Sequence, residues 1–184
     1  MNTAKKSNWL TYTLIGLAGY VLLGMISLNL SANNISAKKG TIWANIDRGT
    51  QLLPRLEKIV KSEMQERRDL ITLITDSRSS IQQARSSGNL AEATSELSNT
   101  LSTVKVSLED NQVSTGVNDL QQSLLTETTG TINRITYAKK NLIEAQTGYN
   151  NTRSLFFING LFTPRQDVLG EYSDVNQPLP ETSF

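Results

Sequence analysis

The pattern of hydrophobic and polar positions divides the chain into one unbroken apolar block and a long periodic remainder. No charged side chain occurs between residues 7 and 37, and residues 9–30 read WLTYTLIGLAGYVLLGMISLNL. As a helix rising about 1.5 Å per residue, this stretch covers the roughly 30 Å of a bilayer's hydrocarbon layer. Trp9 and Tyr12 stand at its entry end, where amphipathic rings favour the headgroup level. Gly16, Gly19 and Gly24 suit a membrane helix whose backbone pairs internally, and their spacing makes no GxxxG dimer motif. A cleaved signal peptide is the competing reading, since Lys5 and Lys6 ahead of an apolar run also describe one, but no small-x-small cleavage site follows. The pattern therefore predicts a short N-terminal segment (1–8), a single transmembrane helix (9–30) and a polar linker (31–40) containing Asn33, Asn34 and Gly40.

Beyond the linker, apolar residues recur at helical spacing in three segments. The first carries Leu52, Leu56, Ile59, Val60, Met64, Leu70, Ile74 and Ile81. Ser86, Ser87, Gly88 and Asn89 then break the pattern, and Asn89 with Glu92 three residues on forms a capping-box signature for the next helix. That helix carries Leu90, Ala93, Leu97, Leu101, Val104 and Leu108. After a polar turn over residues 109–116, the third shows Val117, Leu120, Leu124, Ile132, Ile135, Ala138, Leu142, Ala145 and Tyr149, mostly in alternating steps of three and four. Long helices with short connections run antiparallel, and Trp43 with Ile46 suggests a further turn that either adds a fourth partner or extends the anchor. Pro54 is expected to start or kink a helix rather than lie inside one. The fold class is all-α: an N-terminal transmembrane helix, then an elongated antiparallel bundle of three to four helices (41–158) and a tail (159–184).

Charge adds little, because 18 Lys and Arg nearly balance 17 Asp and Glu, so nothing steers the chain toward nucleic acid. Lys5 and Lys6 sit close to one end of the anchor while Lys38 and Lys39 lie beyond the other, so the positive-inside rule puts the N-terminus in the cytoplasm and the C-terminal domain outside it. The absence of cysteine and histidine removes thiolate chemistry, lipoprotein anchoring and the commonest general base and metal ligands. Glu63 and Glu66 invite a metal reading, but they alternate with Lys61, Arg67 and Arg68 as a solvated helix face does. Serines 77, 79 and 80 lie in a polar run without a partnering base. No catalytic, cofactor or metal residue is assigned, and the chain is expected not to be an enzyme.

Two segments stand out as candidate partner contacts. Residues 155–162, LFFINGLF, hold three of the four phenylalanines. Leu155, Phe156, Phe157, Leu161 and Phe162 either cap the bundle core or form an exposed apolar patch for a partner or the membrane surface. The tail ends Thr182-Ser183-Phe184, with Thr182 and Phe184 in the arrangement that strand-adding, carboxylate-reading domains accept. Tyr137 and Tyr149 on the third segment are expected in the core.

The chain resembles the LemA family. The agreement runs from the single anchor through IWANID (42–47) and LLPRLEKIVK (52–61) to the tail, and is most specific in INRITYAKKNLIEAQTGYN (132–150). There Asn133, Ile135, Tyr137, Ala138, Lys139, Tyr149 and Asn150 fall on the family's spacing, and GLFTPR (160–165) and Ser183-Phe184 follow in order. Departures occur: the stretch between Trp43 and Pro54 is about one helical turn shorter, and Arg48-Gly49 stands where the family has paired arginines. A tyrosine-proline near Glu109-Asp110 and a phenylalanine-proline before Gly160 are also missing. The resemblance implies a membrane-anchored antiparallel bundle of the bacterial envelope, in one branch associated with forming the magnetosome membrane, with no established reaction. The expectation is thus a non-catalytic scaffold or assembly protein. Its contacts would lie along residues 137–149 and 155–162, with an envelope protein as partner. A ligand-sensing bundle signalling through a partner protein is the alternative.

Overall fold

A computed structural model of the chain describes residues 3–63, 67–115 and 119–166, and among them there are helices and no strands. The helices are α1 (Thr3–Glu63), α2 (Arg68–Ser86), α3 (Leu90–Thr115), α4 (Asp119–Leu155) and the single turn α5 (Phe157–Gly160). They form two compact units, Lys38–Asn141 on one hand and Met1–Ala37 with Leu142–Phe184 on the other.

The long first helix departs from the sequence expectation in three ways. Residues 31–40, expected as a linker, are helical, so the helix of the apolar block is extended and no separate helix starts near Trp43. The polar positions there lie among buried apolar ones at helical spacing, with Leu28, Ile35, Ile42 and Ile46 all buried, and that stripe holds the helix together. Pro54 lies inside α1 rather than at an end. Its ring faces outward while Leu53 and Leu56 beside it are fully buried, so packing offsets the roughly 3 kcal/mol that an interior proline costs. Finally, the segment expected to run as one helix from Leu52 to Ile81 is two, since α1 ends at Glu63 and α2 begins at Arg68. Between Val60 and Leu70 the sequence is polar except for Met64, so it offers no apolar stripe to hold a continuous helix against neighbours. Met64 and Val117 lie outside the described residues. Conversely, residues 109–115, expected as a turn, continue α3.

Within Lys38–Asn141, pairs of residues fix the helix directions. Asp47 of α1 pairs with Arg85 of α2, and Glu57 with Arg78 at 3.7 Å, so α1 and α2 run antiparallel. Arg55 meets Glu127 at 2.7 Å, and Gly49 lies beside Thr131, which makes α4 antiparallel to α1 as well. The core is aliphatic: Ile42, Ile46, Leu53, Leu56, Ile74, Leu97, Leu101 and Leu108 are almost completely buried. Of the predicted core positions, those of the first two segments that are described are buried, but Leu120 on α4 is exposed. Gly49 is a position whose role the sequence does not announce. A Cβ there would stand 2.6 Å from Leu97 Cδ2 and 3.1 Å from Thr131 Cγ2, so the absent side chain lets α3 and α4 close on α1.

The α2–α3 corner follows the sequence reading closely. Gly88 takes φ +72°, a left-handed conformation open to glycine at little cost. Asn89 N donates to Ala84 O and Gly88 N to Arg85 O, the paired bonds of a Schellman stop that satisfy two end-of-helix carbonyls. Asn89 Oδ1 then accepts from Glu92 N at 3.1 Å, capping α3. The return bond of the box runs to the Asn89 side chain rather than its backbone: Nδ2 donates to Glu92 Oε2 at 2.8 Å. Across the corner, Thr100 donates to buried Ser77 at 2.8 Å, which gives this serine a packing role between α2 and α3.

Candidate functional site

The second unit, Met1–Ala37 with Leu142–Phe184, carries the candidate contact residues. Along residues 9–30 of α1, eleven large apolar side chains are half exposed or more, from Trp9 and Leu14 to Ile26 and Leu30. Among the described residues this is the one helix long and apolar enough to cross a membrane, and only 11% of its most apolar window is buried. A core helix of a water-soluble domain would hide most of that surface.

The LFFINGLF segment does not cap the bundle core, as one reading of it had held. Leu155, Phe157, Leu161 and Phe162 are 63–85% exposed, and the segment packs instead on the apolar part of α1. The Tyr20 ring lies 5.3 Å from that of half-buried Phe156 and 6.3 Å from that of Phe157, centre to centre. Tyr20 Oη donates to Leu155 O at 2.8 Å. One turn on, buried Asn159 donates through Nδ2 to Val21 O at 3.0 Å. Gly24 makes room for this contact, since a Cβ there would collide with Asn159 Oδ1 and stand 3.0 Å from Phe156 Cβ. Of the three glycines in the apolar block, Gly24 thus has a packing reason, while Gly16 and Gly19 face open space.

The chain after α5 is tied back to α4. Gly160 ends the short helix, and a Cβ on it would stand 2.6 Å from Arg153 O. Arg153 Nε donates to Thr163 O at 2.9 Å, and Tyr149 Oη to Pro164 O at 3.3 Å. Asn150 bonds both backbone groups of Gln166, donating to its carbonyl at 2.8 Å and accepting from its N–H at 3.1 Å. Tyr149 is buried as expected, but Tyr137 is 66% exposed. It follows Ile135 and precedes Ala138, both of which face inward, so its position on the helix turns it out.

Sequence reasoning singled out the apolar LFFINGLF residues, leaving open whether they cap the core or lie exposed, but missed Tyr20, Gly24, Asn159 and Arg153, whose roles depend on contacts over more than a hundred positions or on a local return of the chain. It also missed a cluster in the other unit, where Arg85 pairs with Asp47 and lies 5.5 Å over the Trp43 ring. Thr182, Phe184 and Glu66 lie outside the described residues. Among the described residues no group of three or more acidic side chains could hold a metal ion. The family model described as LemA family matches residues 39–166, a span that starts after the apolar block and ends where Gln166 meets Asn150. No curated protein matches the chain.

Proposed function

The chain belongs to the LemA family, and from that premise we propose that it is a non-catalytic scaffold of the bacterial envelope, held in the cell membrane by residues 9–30. The observation that carries this reading is the apolar surface of α1, from Trp9 to Leu30, which the described residues leave open on most sides. Lipid is the solvent that such a surface fits. Lys5 and Lys6 favour a cytoplasmic N-terminus, which puts the helices after the anchor outside the cytoplasm. The bundle supplies a rigid assembly surface for an envelope protein, because its core is filled by interlocked aliphatic side chains.

Topology tests the orientation. The chain has no cysteine, so single cysteines at Asn2 and Val106 can be labelled with a membrane-impermeant maleimide on right-side-out spheroplasts. Val106→Cys is expected to label without permeabilisation and Asn2→Cys only after it. The reverse pattern would move the bundle into the cytoplasm.

A second reading, a ligand-sensing bundle, has one observation in its favour. Gln121 Oε1 and Thr128 Oγ1 on α4 are buried without a hydrogen-bond partner among the described residues. They stand two turns apart on one face of the helix, and buried polar atoms of this kind can bond a small polar ligand between helices. A sensor of this design would signal through a partner protein.

A further inference from the structure

We infer that residues 155–162 form a second membrane element, an apolar tip inserted among lipid chains beside the anchor helix. The inference rests on the membrane reading of residues 9–30 and specifies what covers the LFFINGLF segment.

Depth is the first argument. If residues 9–30 span about 33 Å at 1.5 Å per residue, Tyr20 lies about 16 Å below Trp9, near the middle of the hydrocarbon layer. Residues 155–162 are fixed to α1 at that level, through Tyr20, Val21 and Gly24. Whatever surrounds α1 there also meets Phe157, Leu161 and Phe162. Each of these is more than 60% exposed, and each is apolar, so hydrocarbon is the medium they suit.

Backbone pairing is the second, independent argument. Lipid tolerates irregular chain only where its polar groups find partners within the protein. Here several backbone groups from Leu161 to Gln166 find such partners: Leu161 N and Phe162 N bond back to Phe157 O and Asn159 O. The carbonyls of Thr163 and Pro164 accept from Arg153 and Tyr149, and both backbone groups of Gln166 are taken by Asn150. The buried Asn159 amide donates through Nδ2 to Val21 O, while its Oδ1 is buried without a hydrogen-bond partner among the described residues.

The test uses the full chain in vesicles of phosphatidylethanolamine and phosphatidylglycerol, with single cysteines carrying an environment-sensitive fluorophore. Phe162→Cys and Leu161→Cys report the tip, Leu14→Cys the anchor and Val106→Cys the bundle. Quenching is read from iodide in the water and from lipids with a doxyl group on the acyl chain. The two tip labels are expected to follow Leu14, with iodide quenching several-fold weaker than at Val106 and strong quenching by the doxyl lipid. Tip labels as open to iodide as Val106, with Leu14 shielded, would overturn the insertion while sparing the anchor. Tip labels shielded from both quenchers would mean that protein, a second copy or a partner, covers the segment, and would also overturn it. If Leu14 itself were open to iodide, the anchor reading would fall and the inserted tip with it.

Discussion

The same helix, α1, treats its apolar residues in opposite ways in the two units. Within Lys38–Asn141 they point inward, and Ile42, Ile46, Leu53 and Leu56 lose all or nearly all contact with solvent. Within Met1–Ala37 only Leu28 and Ile35 of the described apolar residues join the buried stripe, and Leu10, Leu14, Ile15 and Leu22 keep more than half of their surface. A stripe of apolar residues seeks other helices, whereas a sleeve of them seeks lipid or cover by protein on every side. The difference is written in the polar residues between: charges alternate with the stripe from Lys38 onward and are missing from the sleeve. Burial thus stabilises the bundle internally, while the apolar helix over residues 9–30 depends on its surroundings.

The largest effect should separate the units most sharply. Leu56→Ala removes a fully buried side chain and is expected to cost about 2–5 kcal/mol of bundle stability. Leu14→Ala should leave it within about 0.5 kcal/mol. Urea unfolding of the full chain in detergent, followed by circular dichroism, measures both, and equal losses would erase the comparison. Gly49→Ala comes next. Overpacking against Leu97 at 2.6 Å outweighs the better helix propensity of alanine, for a net loss of about 1–2 kcal/mol. Gly130→Ala, with nothing within 4 Å of the added atom, should instead gain up to about 1 kcal/mol. Melting temperatures of the two variants should move in opposite directions.

Thr128→Val should raise stability by about 1 kcal/mol, because it replaces a buried hydroxyl lacking a described partner with a group of the same shape. A drop in the same melt would mean that the hydroxyl is bonded in the working protein, and would favour the sensing reading. The smallest effect belongs to Arg85→Ala. Its pairing with Asp47 is about half exposed, so loss of the ion pair and of the contact with Trp43 should total less than about 1.5 kcal/mol. A double-mutant cycle with Asp47→Ala gives the ion pair's share.

Much of this was legible in the residue pattern, and the reasons for the failures are physical. The α2–α3 corner could be read because its signals are local: Gly88 permits the left-handed turn, and Asn89 caps the helix three residues before Glu92. The inward stripe from Leu90 to Leu108 could be read because period and burial coincide there. Pro54 and residues 31–40 misled because local propensity points to a break, while the buried side chains on either side hold the helix. The LFFINGLF segment stood out by its phenylalanines, but whether it is exposed and where it sits on α1 could not be read. Nothing near Gly24 in sequence signals that Asn159 will need its space. Tyr137 differs from Tyr149 only in which side of α4 its position falls on, and the periodic pattern carried both.

The central claim is that the sleeve of apolar residues on α1 crosses a bilayer. Extraction of cell membranes with alkaline carbonate tests it most directly, since that treatment strips proteins held by charge or by other proteins and leaves bilayer-crossing helices behind. The account predicts the full chain in the membrane pellet. Recovery of the full chain in the supernatant would contradict it.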